Sequence, residues 1–253
     1  MRKTQMKTKT RMWGKYRRGG SDYVLRITFY VTMGLNFKQM KTWFLTLLLA
    51  TGTATVATAA DSTAPYANNF EKAELEKVPE DMLVLDGGFA VKEEGGNKFL
   101  ELPGAPLETF GVLFGPTEPT GLAVTARIQG TGKGRRFPTF SVGLNGVGGF
   151  KLQVAPAKKL VELVKGEETV GSAPFTWESG SWTMLRLQSR KVKDGEFKVE
   201  GKAWKQGDAE PKEWQVSRTE TAETPAGRPS VWGMPFAGTP IRFDDLQVSR
   251  VAQ

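Results

Sequence analysis

The segment GLAVTARIQG, residues 121 to 130, alternates apolar and polar side chains along its length. Its apolar positions fall on every second residue: Leu122, Val124, Ala126 and Ile128. Successive side chains of a β-strand point to opposite faces of its sheet, so a period of two indicates a strand with one buried face. The segment therefore predicts a half-buried strand.

The segments that follow repeat this alternation and are separated by turn-forming pairs. In PTFSVGLN, KLVELVKGEETVGSA and WTMLRLQSRKVKDGEFKVEGKAW, the expected turns are Asn145-Gly146, Lys165-Gly166 and Asp194-Gly195. Such pairs favour β-hairpins because glycine adopts a positive φ without steric cost. Short strands joined by turns about every ten residues indicate an all-β fold, namely an antiparallel β-sandwich of two sheets.

The segment MKTWFLTLLLATGTATVATAAD, residues 40 to 61, has the three parts of a secretory signal peptide. Lys41 follows a methionine, residues 43 to 50 form an apolar run, and small residues precede Asp61. The apolar run is shorter than the roughly 20 residues that a membrane-spanning helix needs. A buried core helix is the alternative interpretation.

Cleavage of this segment would divide the chain into three parts. We expect an over-extended or disordered N-terminus at 1–39, a signal peptide at 40–60 and one β-sandwich domain at 61–253. The domain should then be secreted or periplasmic, with no stable membrane span. Residues 1–59 hold 11 of the 35 Lys+Arg and 1 of the 27 Asp+Glu, which leaves 24 basic and 26 acidic side chains. The remainder therefore has a net charge near −2 instead of +8, which argues against nucleic acid as a partner.

The chain contains no cysteine and no histidine. Without cysteine, an exported domain of this size depends on its hydrophobic core rather than on disulfides. Without histidine, Ser-His-Asp and Cys-His catalysis, histidine-ligated zinc and histidine general bases are excluded. Any chemistry would use carboxylates, lysine, tyrosine or arginine.

Three segments of the C-terminal half carry a series of aromatic, glycine and acidic residues: GSWTMLRLQSR, GEFKVEGKAWKQGDAEPKEWQVS and AGRPSVWGMPFAGTPIRFDDLQV. The series consists of Trp182, Lys202, Trp204, Gly207, Glu210, Pro211, Trp214, Gly227, Phe243, Asp244, Asp245, Leu246 and Val248. It resembles the end of concanavalin A-like (laminin-G-like) jelly-roll domains, and NNFEKAELEKVPEDMLVLDGGFAVKEEGGNKFLEL is similar to their opening strand, which pairs with the last one. The resemblance implies a jelly roll with one concave sheet, in a superfamily rich in carbohydrate binders, glucanases and lyases.

The segment FDDLQV, residues 243 to 248, departs from strict alternation. Alternation would place Phe243 and Leu246 on opposite faces of the sheet. An extra residue at Asp244-Asp245 is therefore expected to form a β-bulge that turns both apolar side chains inward.

The same two aspartates are candidate metal ligands. The resemblance implies a structural calcium ion between the first and last strands, with Glu71 and Asp244 or Asp245 as oxygen ligands. The alternative is that one aspartate caps a turn while the other pairs with Arg242 or Arg228.

Aromatic side chains are candidates for stacking on sugar rings. The candidates are Trp182, Trp204, Trp214, Trp232, Phe140 and Phe150, and packing in the core or at its rim is the alternative for most of them. Trp204 shares a predicted strand face with charged Lys198 and Lys202, so we expect it to be exposed and rank it first.

Three arginines are further candidate ligand contacts. Arg127 lies on the polar face of the GLAVTARIQG strand. The loop GTGKGRRF, residues 130 to 137, does not fit a phosphate-binding loop because glycine, rather than serine or threonine, follows its lysine. Arg135 and Arg136 in this loop could pair with a carboxylate or sulfate of an acidic polysaccharide, and a solvated turn is the alternative.

The acidic residues do not form the motif of the glucanases in this superfamily. Those enzymes carry Glu-x-Asp-x-x-Glu on one strand, and this chain has no Glu-x-Asp. The acids that remain, Glu162, Glu178, Glu196 and Glu200, are each expected on a solvated face. The sequence therefore favours a secreted, non-catalytic module that binds a glycan or another cell-envelope component on its concave sheet. A glycoside hydrolase or lyase, and a structural protein-interaction domain, remain alternatives.

Overall fold

The computed structural model describes residues 9–18, 21–30, 65–104, 108–221, 224–235 and 238–251. The chain divides into two compact units, Met1–Ala59 and Ala60–Gln253. In the first unit, β1 (Lys9–Arg18) and β2 (Ser21–Tyr30) pair in antiparallel fashion, within the segment 1–39 that was expected to be over-extended or disordered. The expected signal peptide at 40–60 lies outside the described residues and stays a prediction. Within the residues that the structure describes, no helix has the length and apolar character needed to cross a bilayer.

The second unit consists almost entirely of short strands. They are β3 (Tyr66–Asn68), β4 (Leu83–Asp86), β5 (Ala90–Glu94), β6 (Asn97–Leu102), β7 (Phe110–Leu113), β8 (Leu122–Gly130), β9 (Thr139–Leu144), β10 (Phe150–Ala155), β11 (Leu160–Lys165), β12 (Glu168–Pro174), β13 (Trp182–Lys193), β14 (Glu196–Lys205), β15 (Val216–Glu220), β16 (Ser230–Met234) and β17 (Ile241–Arg250). A 3-10 turn, Pro156–Lys158, connects β10 to β11.

These strands form two antiparallel sheets. The seven-stranded sheet has the order β12-β11-β10-β9-β16-β7-β4, and the eight-stranded sheet has the order β15-β14-β13-β8-β17-β6-β5, with β3 also paired to β17. The sheets pack face to face as a jelly-roll-like sandwich, which confirms the fold class predicted from the alternation of side chains. The pairing of β3 with β17 also confirms that an opening strand lies beside the last strand.

The hydrophobic core lies between the sheets and uses every second position of each central strand. In β8 these positions are the four predicted ones, Leu122, Val124, Ala126 and Ile128, and all are buried. Phe140 of β9 and Phe150 of β10 reach the same core from the other sheet and are 1% and 0% exposed, so neither is available to stack on a sugar. Burial of a large apolar side chain contributes about 1.5–3 kcal/mol.

The three predicted turns are present, with differences in detail. Asp194-Gly195 forms the two-residue turn between β13 and β14. The turn between β11 and β12 contains Gly166 and Glu167, one residue later than predicted, because Lys165 still pairs with the next strand. Asn145-Gly146 adopts positive φ angles of 66° and 73°, but its loop extends over residues 145 to 149.

The predicted bulge is present in β17. Between Asp244 and Gln247 the register shifts against β8, and Asp245 has a φ of +49°. Phe243 and Leu246, at 0% and 1% exposed, both point into the core as expected. The extra residue turns the Asp245 side chain outward, where it is 49% exposed.

Candidate functional site

An open groove of ≈ 450 Å³ lies on the outer face of the seven-stranded sheet. Core residues take one set of alternate positions in β9, β10, β11 and β16, so the other set faces outward. The outward residues that line the groove include Thr139, Ser141, Lys151, Gln153, Glu162 and Trp232. Because paired strands supply these residues, their relative positions are fixed by the hydrogen-bonded sheet.

One row of directly opposed residues crosses this face from strand to strand. It runs Ser172, Glu162, Gln153, Ser141, Trp232 and Gly111. Directly opposed residues of a sheet have side chains about 5 Å apart. The row therefore places a carboxylate, an amide, a hydroxyl and an indole side by side along the groove.

Trp232 is held flat against the sheet by glycine. A Cβ atom on Gly111 would lie 2.4 Å from Cε3 of the indole, so the ring occupies the space that any larger residue would fill. The indole Nε1 donates a 2.8 Å hydrogen bond to Ser230 Oγ. Trp232 is 6% exposed, so what covers its outer face decides whether a ligand can reach it.

Lys151 covers Trp232. Its Nζ lies 3.8 Å from the centroid of the indole ring, in a cation–π contact. Lys151 pairs with Gly143 of β9, and the lack of a side chain there leaves room for the indole beside Ser230. Among the described residues, no carboxylate lies within 4.0 Å of the Lys151 ammonium. Burial without a counter-ion lowers the pKa of Lys151 from its ordinary value of 10.5.

Glu162 is buried in the groove, contrary to the expectation of a solvated face. It is 3% exposed and accepts hydrogen bonds from Gln153 Nε2 at 3.3 Å and Lys158 Nζ at 2.9 Å. The sequence-based expectation failed because neighbouring strands and the 3-10 turn cover the carboxylate. The other acid that lines the groove, Glu167, is exposed in the β11–β12 turn.

The outer face of the eight-stranded sheet, here called the ion-pair face, carries a different set of residues. Its charged residues include Arg127, Arg186, Arg190, Lys198, Lys202, Arg242, Glu101, Glu200, Glu210 and Asp244. Glu200 was also expected on a solvated face, but it is 2% exposed. It accepts hydrogen bonds from Gln188 and Arg190 and pairs with Lys198.

The structure brings three predicted site residues together on the ion-pair face. Arg127 NH2 lies 2.5 Å from Asp244 Oδ2, and Arg127 Nε lies 2.9 Å from Asp245 Oδ2. The Arg127 guanidinium also lies over the ring of Trp182, at 4.7 Å from its centroid. Arg127 is therefore on the sheet opposite to the groove, and its role as a ligand contact stays a prediction.

The contacts of the predicted calcium ligands come from the protein itself. Asp244 Oδ2 accepts a 2.9 Å hydrogen bond from Asn97 Nδ2 in addition to that from Arg127, and Glu71 Oε1 accepts one from the Lys98 amide. Burial raises the pKa of Asp244, while the hydrogen bond from Asn97 opposes that shift. No group of three or more acidic side chains suited to a metal ion is found within the part of the chain that the structure describes. A calcium ion here stays a prediction that requires Arg127 to release Asp244.

The remaining predicted contacts lie outside the groove. Trp204 is half-buried in a separate depression of ≈ 570 Å³ between loops, beside the ion pair of Glu178 and Lys205. Arg135 and Arg136 are exposed in the loop between β8 and β9. Trp204 itself lies on β14, opposite Met184, but most of the residues that line its depression belong to loops. We favour the groove as the candidate site, because its row of side chains comes from paired strands, which position side chains more rigidly than loops do.

Trp232 ranked behind Trp204 among the sequence-based candidates, and Lys151, Gln153 and Ser141 were not among them. A usable pattern was present, since Lys151 and Gln153 alternate with the core residues of β10. The position of Trp232 beside Gly111 could not be predicted from neighbouring residues, because β7 and β16 are far apart in the sequence.

Comparisons with known proteins find the fold but no family. No family model and no curated protein matches the chain. A Bacillus subtilis protein of unknown function with a galectin-like fold is similar in structure, with a TM-score of 0.52, 13% identity and coverage of 74% of this chain and 96% of that one. The carbohydrate recognition domain of Emp46p in its metal-free form is similar with a TM-score of 0.50, 10% identity and coverage of 75% and 98%. At these identities the likeness concerns the fold alone.

Proposed function

We propose that this protein is a glycan-binding module whose ligand lies in the groove of the seven-stranded sheet. The observation that carries the proposal is the row in which Trp232 stands beside Ser141, Gln153 and Glu162. Sugars present an apolar C–H face and a rim of hydroxyl groups. An indole beside an amide, a hydroxyl and a carboxylate matches both features.

The polar members of the row differ in exposure: Gln153 is half-buried, whereas Ser141 and Glu162 are 2% and 3% exposed. Gln153 already donates to Glu162 and keeps a second amide hydrogen and its carbonyl oxygen for a ligand. Glu162 is an acceptor whose position is fixed by Gln153 and Lys158. Groups held in place before the ligand arrives lower the entropy cost of binding.

The fold and the expected location are compatible with this function. The fold is shared with a carbohydrate recognition domain, that of Emp46p, although a fold does not by itself select a ligand. The signal peptide expected at 40–60 would bring the groove to the cell envelope or beyond, where polysaccharides are available as partners.

Two matched tryptophan substitutions test the site. The full chain is screened on a glycan array, and dissociation constants are measured for the wild type, Trp232→Ala and Trp204→Ala. We expect Trp232→Ala to lose about tenfold or more in affinity and Trp204→Ala to lose less than about twofold, because loss of an aromatic contact at a binding site costs over 1 kcal/mol. Gln153→Ala, which leaves the core intact, should also weaken binding.

Three results would contradict the proposal. The first is the absence of binding to any glycan, and the second is a loss with Trp204→Ala that Trp232→Ala does not share. The third is release of reducing ends or unsaturated products from a bound polysaccharide, which would favour the hydrolase or lyase alternative. Circular dichroism melting curves confirm that each variant is folded.

A further inference from the structure

The charges on the two outer faces are compensated to different extents. On the ion-pair face, every outward lysine or arginine of the central strands has a carboxylate within 4.0 Å: Arg127, Arg186, Arg190, Lys198, Lys202 and Arg242. In the groove, Nζ of the half-buried Lys151 contacts the ring of Trp232. Among the residues described, no carboxylate lies within 4.0 Å of it. Lys151 is therefore a cation without a counter-ion at the centre of a candidate binding site.

The structure holds the Lys151 ammonium in place without neutralising it. The cation–π contact with Trp232 keeps Nζ 3.8 Å from the ring, over the floor of the groove. Burial has removed part of the water around the ammonium, as the lowered pKa of Lys151 reflects. An anion bound beside it would replace that water with a charge-assisted hydrogen bond.

The other charged groups of the groove leave this position open. Lys158 and Glu162 pair with each other at 2.9 Å, so their charges cancel locally. Glu167 also lines the groove, but it is exposed and not within ion-pair distance of Lys151, and solvent weakens its effect. Lys151 is thus the free positive charge among the groove residues that the structure describes.

We infer that the groove selects an anionic glycan and that a carboxylate or sulfate of the sugar pairs with Lys151. The inference rests on the proposed function and adds the chemical class of its ligand. Movement of the ammonium toward the anion would also uncover the face of Trp232 for a sugar ring. Lys151 would then bind the anion and also control whether a sugar ring can reach the indole of Trp232.

The test compares ligands that differ only in charge. The full chain is titrated with polygalacturonate and alginate, and with the fully methyl-esterified form of each, and dextran sulfate with dextran separates sulfate from carboxylate recognition. The variants are Lys151→Met, which keeps an unbranched stem without the charge, Lys151→Arg, which keeps the charge, and Lys165→Met as a matched control. Lys165 also lies over an aromatic ring, that of Phe150, but it pairs with Glu220 and does not line the groove.

We expect at least one acidic polymer to bind the wild type about tenfold more tightly than its neutral form, because a desolvated ion pair discriminates strongly. Lys151→Met should lose that preference, so that esterification no longer changes its affinity. Lys151→Arg should retain it within about threefold, and Lys165→Met should retain nearly all of it, because Lys165 pairs with Glu220 outside the groove.

The outcomes separate this inference from the proposed function. If the wild type binds neutral glycans as tightly as acidic ones, or if Lys151→Met keeps the preference, the ligand class is wrong while glycan binding stands. A loss with Lys165→Met as large as that with Lys151→Met would also contradict the assignment. If no glycan of either kind binds, both proposals fail. Melting curves of all three variants show whether any loss comes from unfolding.

Discussion

The ion-pair face and the groove contain the same types of charged residue, but they differ in whether the lysines and arginines are paired with carboxylates. On the ion-pair face, Glu200 accepts hydrogen bonds from Gln188 and Arg190 and pairs with Lys198. Glu210 lies within 3.2 Å of both Arg186 and Lys202. In the groove, Lys151 has no such partner among the described residues. Charges that are paired across strands stabilise a sheet, whereas an unpaired charge on a sheet face is available to a ligand.

The pKa shifts of Glu200 and Lys151 follow this difference, whereas burial raises the pKa of Asp244 despite its pair with Arg127. Burial would raise the pKa of Glu200, but hydrogen bonds from Lys198, Gln188 and Arg190 outweigh it, and the pKa is lowered from 4.5. Its contribution to stability is therefore present above pH 4.5 and is lost as the pH falls through the lower folded value. The fold thus favours the charged form of Glu200 and disfavours the charged form of Lys151.

The largest expected effect lies on the ion-pair face. Asp244→Ala removes a carboxylate that is fully buried and leaves Arg127 and Asn97 without their shared acceptor. We expect the free energy of unfolding to fall by about 3 kcal/mol, as when one partner of a buried pair is removed. Urea titration followed by tryptophan fluorescence measures this loss.

The neighbouring aspartate provides the control. Asp245 is half exposed, so Asp245→Asn should cost less than about 1 kcal/mol, and asparagine tolerates the positive φ at this position. Folded Asp244→Ala should bind glycans like the wild type. Reduced binding by that variant at low temperature, where it is folded, would show that the ion-pair face contributes to recognition and would overturn the contrast between the two faces.

The elements of the fold could be predicted because their determinants are local. The alternation in residues 121 to 130 fixes a strand, Asp194-Gly195 fixes a turn, and Asp244-Asp245 inserts one extra residue that a core strand can accept only as a bulge. Each of these features depends on the geometry of a few consecutive residues. The structure contains all three.

The site could not be predicted in the same way, because its determinants are the partners across strands. Trp232 depends on Gly111, and Arg127 depends on Asp244, which is 117 positions away. Glu162 and Glu200 look solvent-exposed in a strand pattern, yet neighbouring side chains bury both. A period of two identifies the outer face of a sheet but not what lies beside each residue on that face.

An intermediate effect is expected when Gly111, which lies against the Trp232 indole in the groove, is replaced by alanine. In Gly111→Ala, the new methyl group would lie 2.4 Å from Trp232, so the indole must move. We expect a loss of about 1–2 kcal/mol in stability, typical of an overpacked site, and about tenfold weaker glycan binding. Calorimetry of unfolding and of binding measures the two losses separately.

Gly148→Ala is the matched control for this substitution. A Cβ at Gly148 meets nothing within 4 Å, so neither stability nor affinity should change by more than a small amount. If Gly111→Ala binds glycans as tightly as Gly148→Ala does, the position of the Trp232 ring is irrelevant to recognition. The groove would then depend on its polar row alone.

The smallest expected effect is a dependence of binding on alkaline pH. Because burial lowers the pKa of Lys151 from 10.5, the free protein loses this charge at a lower pH than an exposed lysine does. A bound anion favours the charged form, so affinity for polygalacturonate should be constant below the folded pKa and fall severalfold as the pH rises through it. Titration calorimetry between about pH 7 and 10.5 measures this fall.

Lys151→Arg should show a flat profile, because a guanidinium stays charged over this range. An equal fall in the arginine variant would assign the dependence to another group and remove Lys151 from the recognition of charge.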